Sequence, residues 1–193
     1  MRLAAITGAC AVAALVVGCG STPASRFYTL NGTATPSPPA AKPVSVVVGP
    51  VTIPATVDRP QMVVSTGANQ VELDEFNRWA SPLQNDISRV VAENLGALLG
   101  APRVTQTLGV DSDFRVAIEV QRFESTPGDS AMFDAAWVVR RLKDGRSETG
   151  RTTVREPAPQ KGYDALVAAH SRAVGRLSTD IANAVRALDG APR

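Results

Sequence analysis

Residues 114–121 read Phe-Arg-Val-Ala-Ile-Glu-Val-Gln. Phe114, Val116, Ile118 and Val120 fall on one side of an extended chain, and Arg115, Glu119 and Gln121 fall on the other. A period of two is the mark of a strand with one buried face and one wet face. Working outward, Pro127-Gly128-Asp129 turns the chain, and residues 132–142 read as a second long strand. Asp144-Gly145 is the strongest hairpin signal in the sequence. Residues 147–155 return as a third strand, polar and rich in Arg, and Pro157 and Pro159 end the sheet. The period then changes. Leu166, His170, Val174, Leu177, Ile181, Val185 and Leu188 make one stripe, which predicts a long amphipathic helix over 163–188, closed by Gly190.

Upstream, Val44-Ser-Val-Val-Val-Gly49 is a dense β-branched run, the signature of a buried strand. Pro50, Pro54 and Pro60 limit pairing afterwards, so 51–61 reads as extended edge or loop. Residues 62–65 and 70–73 flank a Thr-Gly-Ala-Asn turn and predict a hairpin. Ser81-Pro82-Leu83-Gln84 predicts a helix start, with Ser81 as N-cap, Pro82 in the first turn and Gln84 as the capping-box partner. Leu83, Ile87, Val90, Val91, Leu95 and Leu98 then share a face, and Gly100 stops the helix. These elements predict an α+β fold, a two-layer α/β sandwich. It has a mixed, largely antiparallel sheet with two long amphipathic helices on one face.

The beginning of the chain follows another logic. Met1-Arg2 is a short positive region, and residues 3–18 carry no charge. That length suits a signal peptide and is short for a membrane-spanning helix. The run ends in Val16-Val17-Gly18-Cys19, then Gly20-Ser21-Thr22. An aliphatic residue, small residues and then Cys is the pattern of a bacterial lipoprotein cleavage site. The thiol of Cys19 would carry diacylglycerol and the new N-terminus an N-acyl chain; no other cofactor is expected. Cys10 would be discarded with the leader, 1–18. Gly20 is not the Asp that commonly retains lipoproteins at the inner membrane, which favours the outer membrane and its periplasmic face. The tether is 19–25, because Phe27-Tyr28-Thr29-Leu30 is too apolar for a solvated linker and predicts a short strand at 26–30. The domain of 26–193 would then sit close against the membrane. A loop at 32–43 holds four of the fourteen Pro and reads as exposed, with polyproline character.

Composition narrows the function. Lys plus Arg number 20 and Asp plus Glu 18, so the formal charge of +2 offers no phosphate-tracking surface and argues against nucleic acid. One His makes a His-based metal site or a Ser-His pair unpromising. No P-loop, G-x-G-x-x-G or G-x-S-x-G occurs. The expectation is a protein that is not an enzyme. His170 reads as a stripe-edge residue with a hydrogen-bond partner. Glu72, Asp74 and Glu75 read as a solvated turn before a cation site. Arg140, Arg141, Arg146, Arg151 and Arg155 read as outward strand positions, or as a patch for anionic headgroups or an acidic partner. A loop-rich region carries Asp58, Arg59, Gln61, Phe76, Arg78 and Trp79, types favoured at interfaces, although Trp79 suits the core equally well.

Those residues also carry a resemblance. A lipobox Cys, Arg26-Phe-Tyr-Thr-Leu30, Val48-Gly-Pro-Val51, Asp58-Arg-Pro-Gln61 and Asn77-Arg-Trp-Ala-Ser-Pro-Leu83 resemble the ABC-type transport auxiliary lipoproteins, the PqiC-like family. The resemblance covers essentially the whole chain after the leader; 32–43 is its least family-like part. It implies an α/β fold and an outer-membrane lipoprotein facing the periplasm. It implies a partnership with an MCE-domain protein that forms a lipid-conducting tube or ring, and, in some relatives, a homo-oligomeric ring. It carries over no catalytic residue; by motif, Cys19 is the lipid-modified one. Two readings follow. One is a docking subunit of a lipid transport system that maintains envelope integrity. The other is a lipoprotein that itself binds a lipid or small ligand between sheet and helices.

Overall fold

The structure, a computed structural model, describes residues 23–39, 43–100, 103–106 and 111–190. The leader, Cys19 and residues 40–42 of the proline-rich loop lie outside the described residues. The element order is β1 (Arg26–Tyr28), β2 (Ser45–Thr52), β3 (Gln61–Gly67), β4 (Gln70–Trp79), α1 (Leu83–Leu99), β5 (Arg103–Thr105), β6 (Phe114–Thr126), β7 (Ser130–Arg141), β8 (Ser147–Pro157) and α2 (Tyr163–Gly190).

Five strands form the main sheet in the order β5-β2-β6-β7-β8. β2 runs parallel to β5 and to β6, and β6, β7 and β8 form an antiparallel meander. Both helices pack on one face of this sheet, α1 over β2 and α2 over β7 and β8, and against each other. The fold class is thus the α+β class expected. Alternation along β6 supplies the sheet side of the core. Phe114, Val116, Ile118 and Val120 are 0–3% exposed, and so are Leu95 of α1 and Leu177 and Ile181 of α2 that meet this layer. Burial of this kind contributes roughly 1.5–3 kcal/mol per large side chain and holds the layers together.

The first hairpin departs from the expected single sheet. β3 and β4 pair with each other and with β1, in the order β1-β4-β3, as a separate three-stranded sheet. The physical reason is edge occupancy. β2 already has β5 on one side and β6 on the other, so it offers the hairpin no free edge. The helix start also differs. α1 begins at Leu83, with Pro82 in the cap position at ψ 126° and no side-chain cap. Ser81 and Gln84 therefore form no capping box. Pro82 has no side-chain acceptor, and its carbonyl instead receives the amides of Asn85 and Asp86 at 2.9 and 3.1 Å. The other end is as predicted: Gly100 is left-handed (φ 56°), and its N–H bonds to the Gly96 carbonyl.

Residues 29–37 cross the helix pair as a strap. The Leu30 amide donates to the Asp86 carboxylate at 2.6 Å, and the Asn31 amide to Ser171 Oγ at 3.1 Å. The amides of Thr33 and Ala34 donate to Asn94 Oδ1 at 2.9 and 3.0 Å, and that of Ser37 to the Ala97 carbonyl at 2.9 Å. Side chains of 32–39 are largely exposed, as their composition suggests, but the backbone is held.

Candidate interaction surface

β1 is positioned by its own alternation. Tyr28 and Leu30 are buried, while Phe27 and Thr29 are exposed. Behind Leu30, Asp86 is a buried hub. It accepts from the Leu30 amide and from Thr29 Oγ1 at 3.1 Å, and Arg89 closes the group at 2.5 Å. Arg89 also donates to the Leu30 carbonyl at 2.6 Å. A buried carboxylate is tolerated here because a backbone amide, a hydroxyl and a guanidinium donate to it.

β1 lies parallel to the end of β4, with Arg26 opposite Asn77, Phe27 opposite Arg78 and Tyr28 opposite Trp79. This register gathers most of the residues singled out from sequence. Arg78 is opposite Gln61 on the other side. Gln61 Nε2 donates to Glu75 at 3.2 Å; Arg78 donates to the Glu75 carboxylate at 3.1 Å and to its carbonyl at 2.8 Å. Asp58 and Arg59 are exposed in the loop that leads to Pro60, whose carbonyl accepts the Trp79 amide at 2.7 Å. Phe76 is 37% exposed. Trp79 turns the other way: it is 6% exposed and meets Phe123 edge-on, centroids 5.9 Å apart. It belongs to the core. Glu75 and Phe27 complete the surface group; strand register, invisible in the sequence, is what brings them in.

Beside this group, a cleft of about 600 Å³ opens between β1, β4 and the start of α2. Its floor is a polar network. Tyr28 OH donates to Asn77 Oδ1 at 2.8 Å, and Tyr163 OH to Asp74 Oδ2 at 2.7 Å. Asp74 also accepts from Asn77 Nδ2 at 2.9 Å and from the amides of Phe76 and Asn77. Burial opposes the charge on Asp74, but Tyr163, Asn77 and the two amides together hold its carboxyl below the usual value. Burial, and then the bond to Asp74, pushes the Tyr163 phenol up. The oxygens of Asp74 are thus engaged by protein donors, and among the described residues no group of three or more His, Cys, Asp or Glu converges as metal ligands.

The Arg-rich hairpin is mostly paired. Arg141 meets Asp144 at 2.5 Å and donates to the Leu188 carbonyl, Arg151 meets Asp134, and Arg155 meets Asp129. Arg151 holds the Asp134 carboxyl below its usual value against burial. His170 is fully buried, stacked on Phe123 at 3.7 Å, with Nε2 2.9 Å from Ser125 Oγ. Its Nδ1 has no partner, so no carboxylate orients the ring, and burial pushes its pKa down to about 3. The pair is a packing contact.

No helix among the described residues is long and apolar enough to cross a membrane. Two solved structures share the fold. One, an uncharacterized protein, superposes with TM-score 0.72 at 19% identity, covering 84% of this chain and 99% of its own. The protein XCC0632 from Xanthomonas campestris superposes with TM-score 0.70 at 20% identity, covering 86% and 98%. No curated protein matches the chain. Residues 28–182 match the family model described as ABC-type transport auxiliary lipoprotein component, a span from the last residue of β1 into α2 that takes in most of both sheets, and the chain belongs to that family.

Proposed function

We propose that this protein is an outer-membrane lipoprotein, acylated on Cys19 and facing the periplasm, that serves as a non-catalytic docking subunit of an MCE-type lipid transport system. The observation that carries this reading is the family match over 28–182, which makes the chain a transport auxiliary component. The lipobox ending in Cys19 and the docked β1 agree with it, because they tie a folded domain to a membrane through a short tether. The group of exposed Asp58, Arg59 and Phe76 with half-buried Gln61 and Arg78 is the proposed contact for the MCE-domain partner. It combines Phe76 and Arg78 of β4 and Gln61 of β3, positioned by strand pairing, with Asp58 and Arg59 of the adjoining loop. Several copies would form a ring around the partner.

Capture of membrane proteins with the tagged full-length chain tests the docking role. Recovery of an MCE-domain protein is expected, and its loss in an Arg59→Glu/Arg78→Glu variant. Lipid co-purifying in stoichiometric amount with no protein partner would instead favour a carrier. In that case the ligand could not lie between sheet and helices without displacing side chains such as Val116, Val174 and Leu177, which are fully buried there. Cys19→Ser should leave a folded protein that is lost from the envelope fraction. Retention of that variant in membranes counts against the anchor.

A further inference from the structure

The described chain begins at Pro23, four residues after Cys19. Four residues span at most ~14 Å. The end of the molecule that carries Pro23 is therefore held within that distance of any acyl group on Cys19. Pro23 and Ala24 line the 600 Å³ cleft together with Arg26, Phe76 and Lys161. Phe27, next along the chain, is 65% exposed. The large apolar side chains exposed on the described surface are Phe27, Val71, Leu73, Phe76, Val138 and Leu142. The first four lie on β1 and β4, adjacent strands of the small sheet. Solvent-exposed aromatics so close to an anchor are out of place on a domain surrounded by water.

Helix α2 fixes the opposite end. It starts at Tyr163 in the cleft and has 28 residues, a length of ~42 Å. Near its far end, the Leu188 carbonyl accepts from Arg141, the neighbour of Leu142. The molecule thus has one end beside the anchor and one end about 40 Å away.

We infer that the cleft end of the small sheet rests directly on the phospholipid surface, with Phe27 entering the headgroup boundary and Arg26 and Lys161 meeting headgroup phosphates. The inference rests on the lipid anchor proposed for Cys19. The charges specify the surface further. Arg26 and Lys161 share the cleft with Asp74 and Asp164, and neither cation makes an ion pair among the described residues. The lining is neutral, two cations against two carboxylates, so it has no excess charge to draw an anionic headgroup and takes a zwitterionic one, whose phosphate meets Arg26 and Lys161. Contact therefore depends on aromatic burial more than on net charge.

The test uses the full chain, expressed with its leader, purified from membranes and reconstituted into phosphatidylcholine vesicles with brominated acyl chains, which quench nearby tryptophan. Trp79 and Trp137 are 6% and 8% exposed and provide a constant background. In Phe27→Trp the added emission should be quenched at least twofold more than the added emission in Leu142→Trp. Replacing a third of the lipid with phosphatidylglycerol should change that ratio less than twofold; a larger change overturns the zwitterionic assignment. Equal quenching at positions 27 and 142, in a chain whose intact mass shows acylation, overturns the membrane-facing surface and leaves the anchor standing. An unacylated chain that fails to float with vesicles sinks both. An unacylated chain that floats, with position 27 still quenched, removes the anchor and supports the surface.

Discussion

At the residue scale, two neighbours on β4 have opposite roles. Trp79 fills the core against Phe123, whereas Arg78 is a half-exposed partner of Glu75. Trp79→Ala should cost about 3–5 kcal/mol in urea unfolding. Arg78→Ala should cost about 0.5 kcal/mol or less, since exposed ion pairs contribute little. His170 gives a pH signature. Its unfolded ring titrates near 6.5, but burial holds the folded ring down to about 3. Between those values the unfolded chain binds a proton that the folded chain rejects, so stability is lost as pH falls below about 6.5. At pH 5 the loss from this group should be on the order of 2 kcal/mol relative to pH 7.5. A Ser125→Ala/His170→Phe variant, which removes ring and hydroxyl together, should show a correspondingly flatter profile between those pH values. An unchanged profile would assign the loss elsewhere. Asp74, Asp134 and Asp144 have lowered carboxyl pKa values. Their contributions are lost at lower pH, as the carboxylates protonate below the ordinary 3.8, so they leave this window largely to His170.

At the element scale, the strap and β1 are part of the fold rather than a leash. Leu30 is fully buried, and its amide is bound to Asp86. Leu30→Ala should cost about 2–5 kcal/mol. Asp86→Ala should cost roughly 2–4 kcal/mol, because it strands the buried Leu30 amide and removes one of the two carboxylate partners of Arg89, which keeps Glu93. Were residues before Val44 only a tether, both variants would unfold at the wild-type urea concentration. The β7–β8 pair depends on a missing side chain. Gly150 lies opposite Trp137, and a Cβ there would come within 2.2 Å of the indole ring. That indole is fixed by a 3.1 Å bond to Thr152 Oγ1. Gly150→Ala should therefore cost about 1–3 kcal/mol and red-shift the Trp137 emission.

At the scale of the whole molecule, most of the buried core and the proposed interaction surface sit at different places. The large sheet and both helices share one continuous buried cluster, which takes in only Tyr28, Met62 and Trp79 of the small sheet's strands, and β4 is otherwise mostly exposed along its length. Amide exchange should be slowest in β6, β7 and the middle of α2, and fastest at residues 66–71, the hairpin tip of the small sheet. Uniform protection across both sheets would contradict this division. Under the proposed anchor on Cys19, this division would place a more adaptable edge toward the membrane. The formal charge of +2 over the whole chain would suit the proposed anchoring by lipid rather than by a basic patch.

The sequence by itself determined the elements. A period-two run marked β6, flanking turns marked β7, the 3.6-residue stripes marked both helices, the Asp144-Gly145 turn marked the hairpin, and the lipobox predicted the anchor, because each signal depends on residues close together in the chain. Only the tertiary structure decided the partners. That β3 and β4 leave the main sheet follows from the occupied edges of β2, which no local pattern records. That Trp79 is core while Arg78, one residue away, is surface follows from the pairing with β1. The capping box failed at Ser81 because the backbone of Pro82 already occupied the cap. The cleft beside the tether joins residues 23–28, 74–77 and 161–164, and contacts across such separations are set by packing rather than by any neighbouring residue.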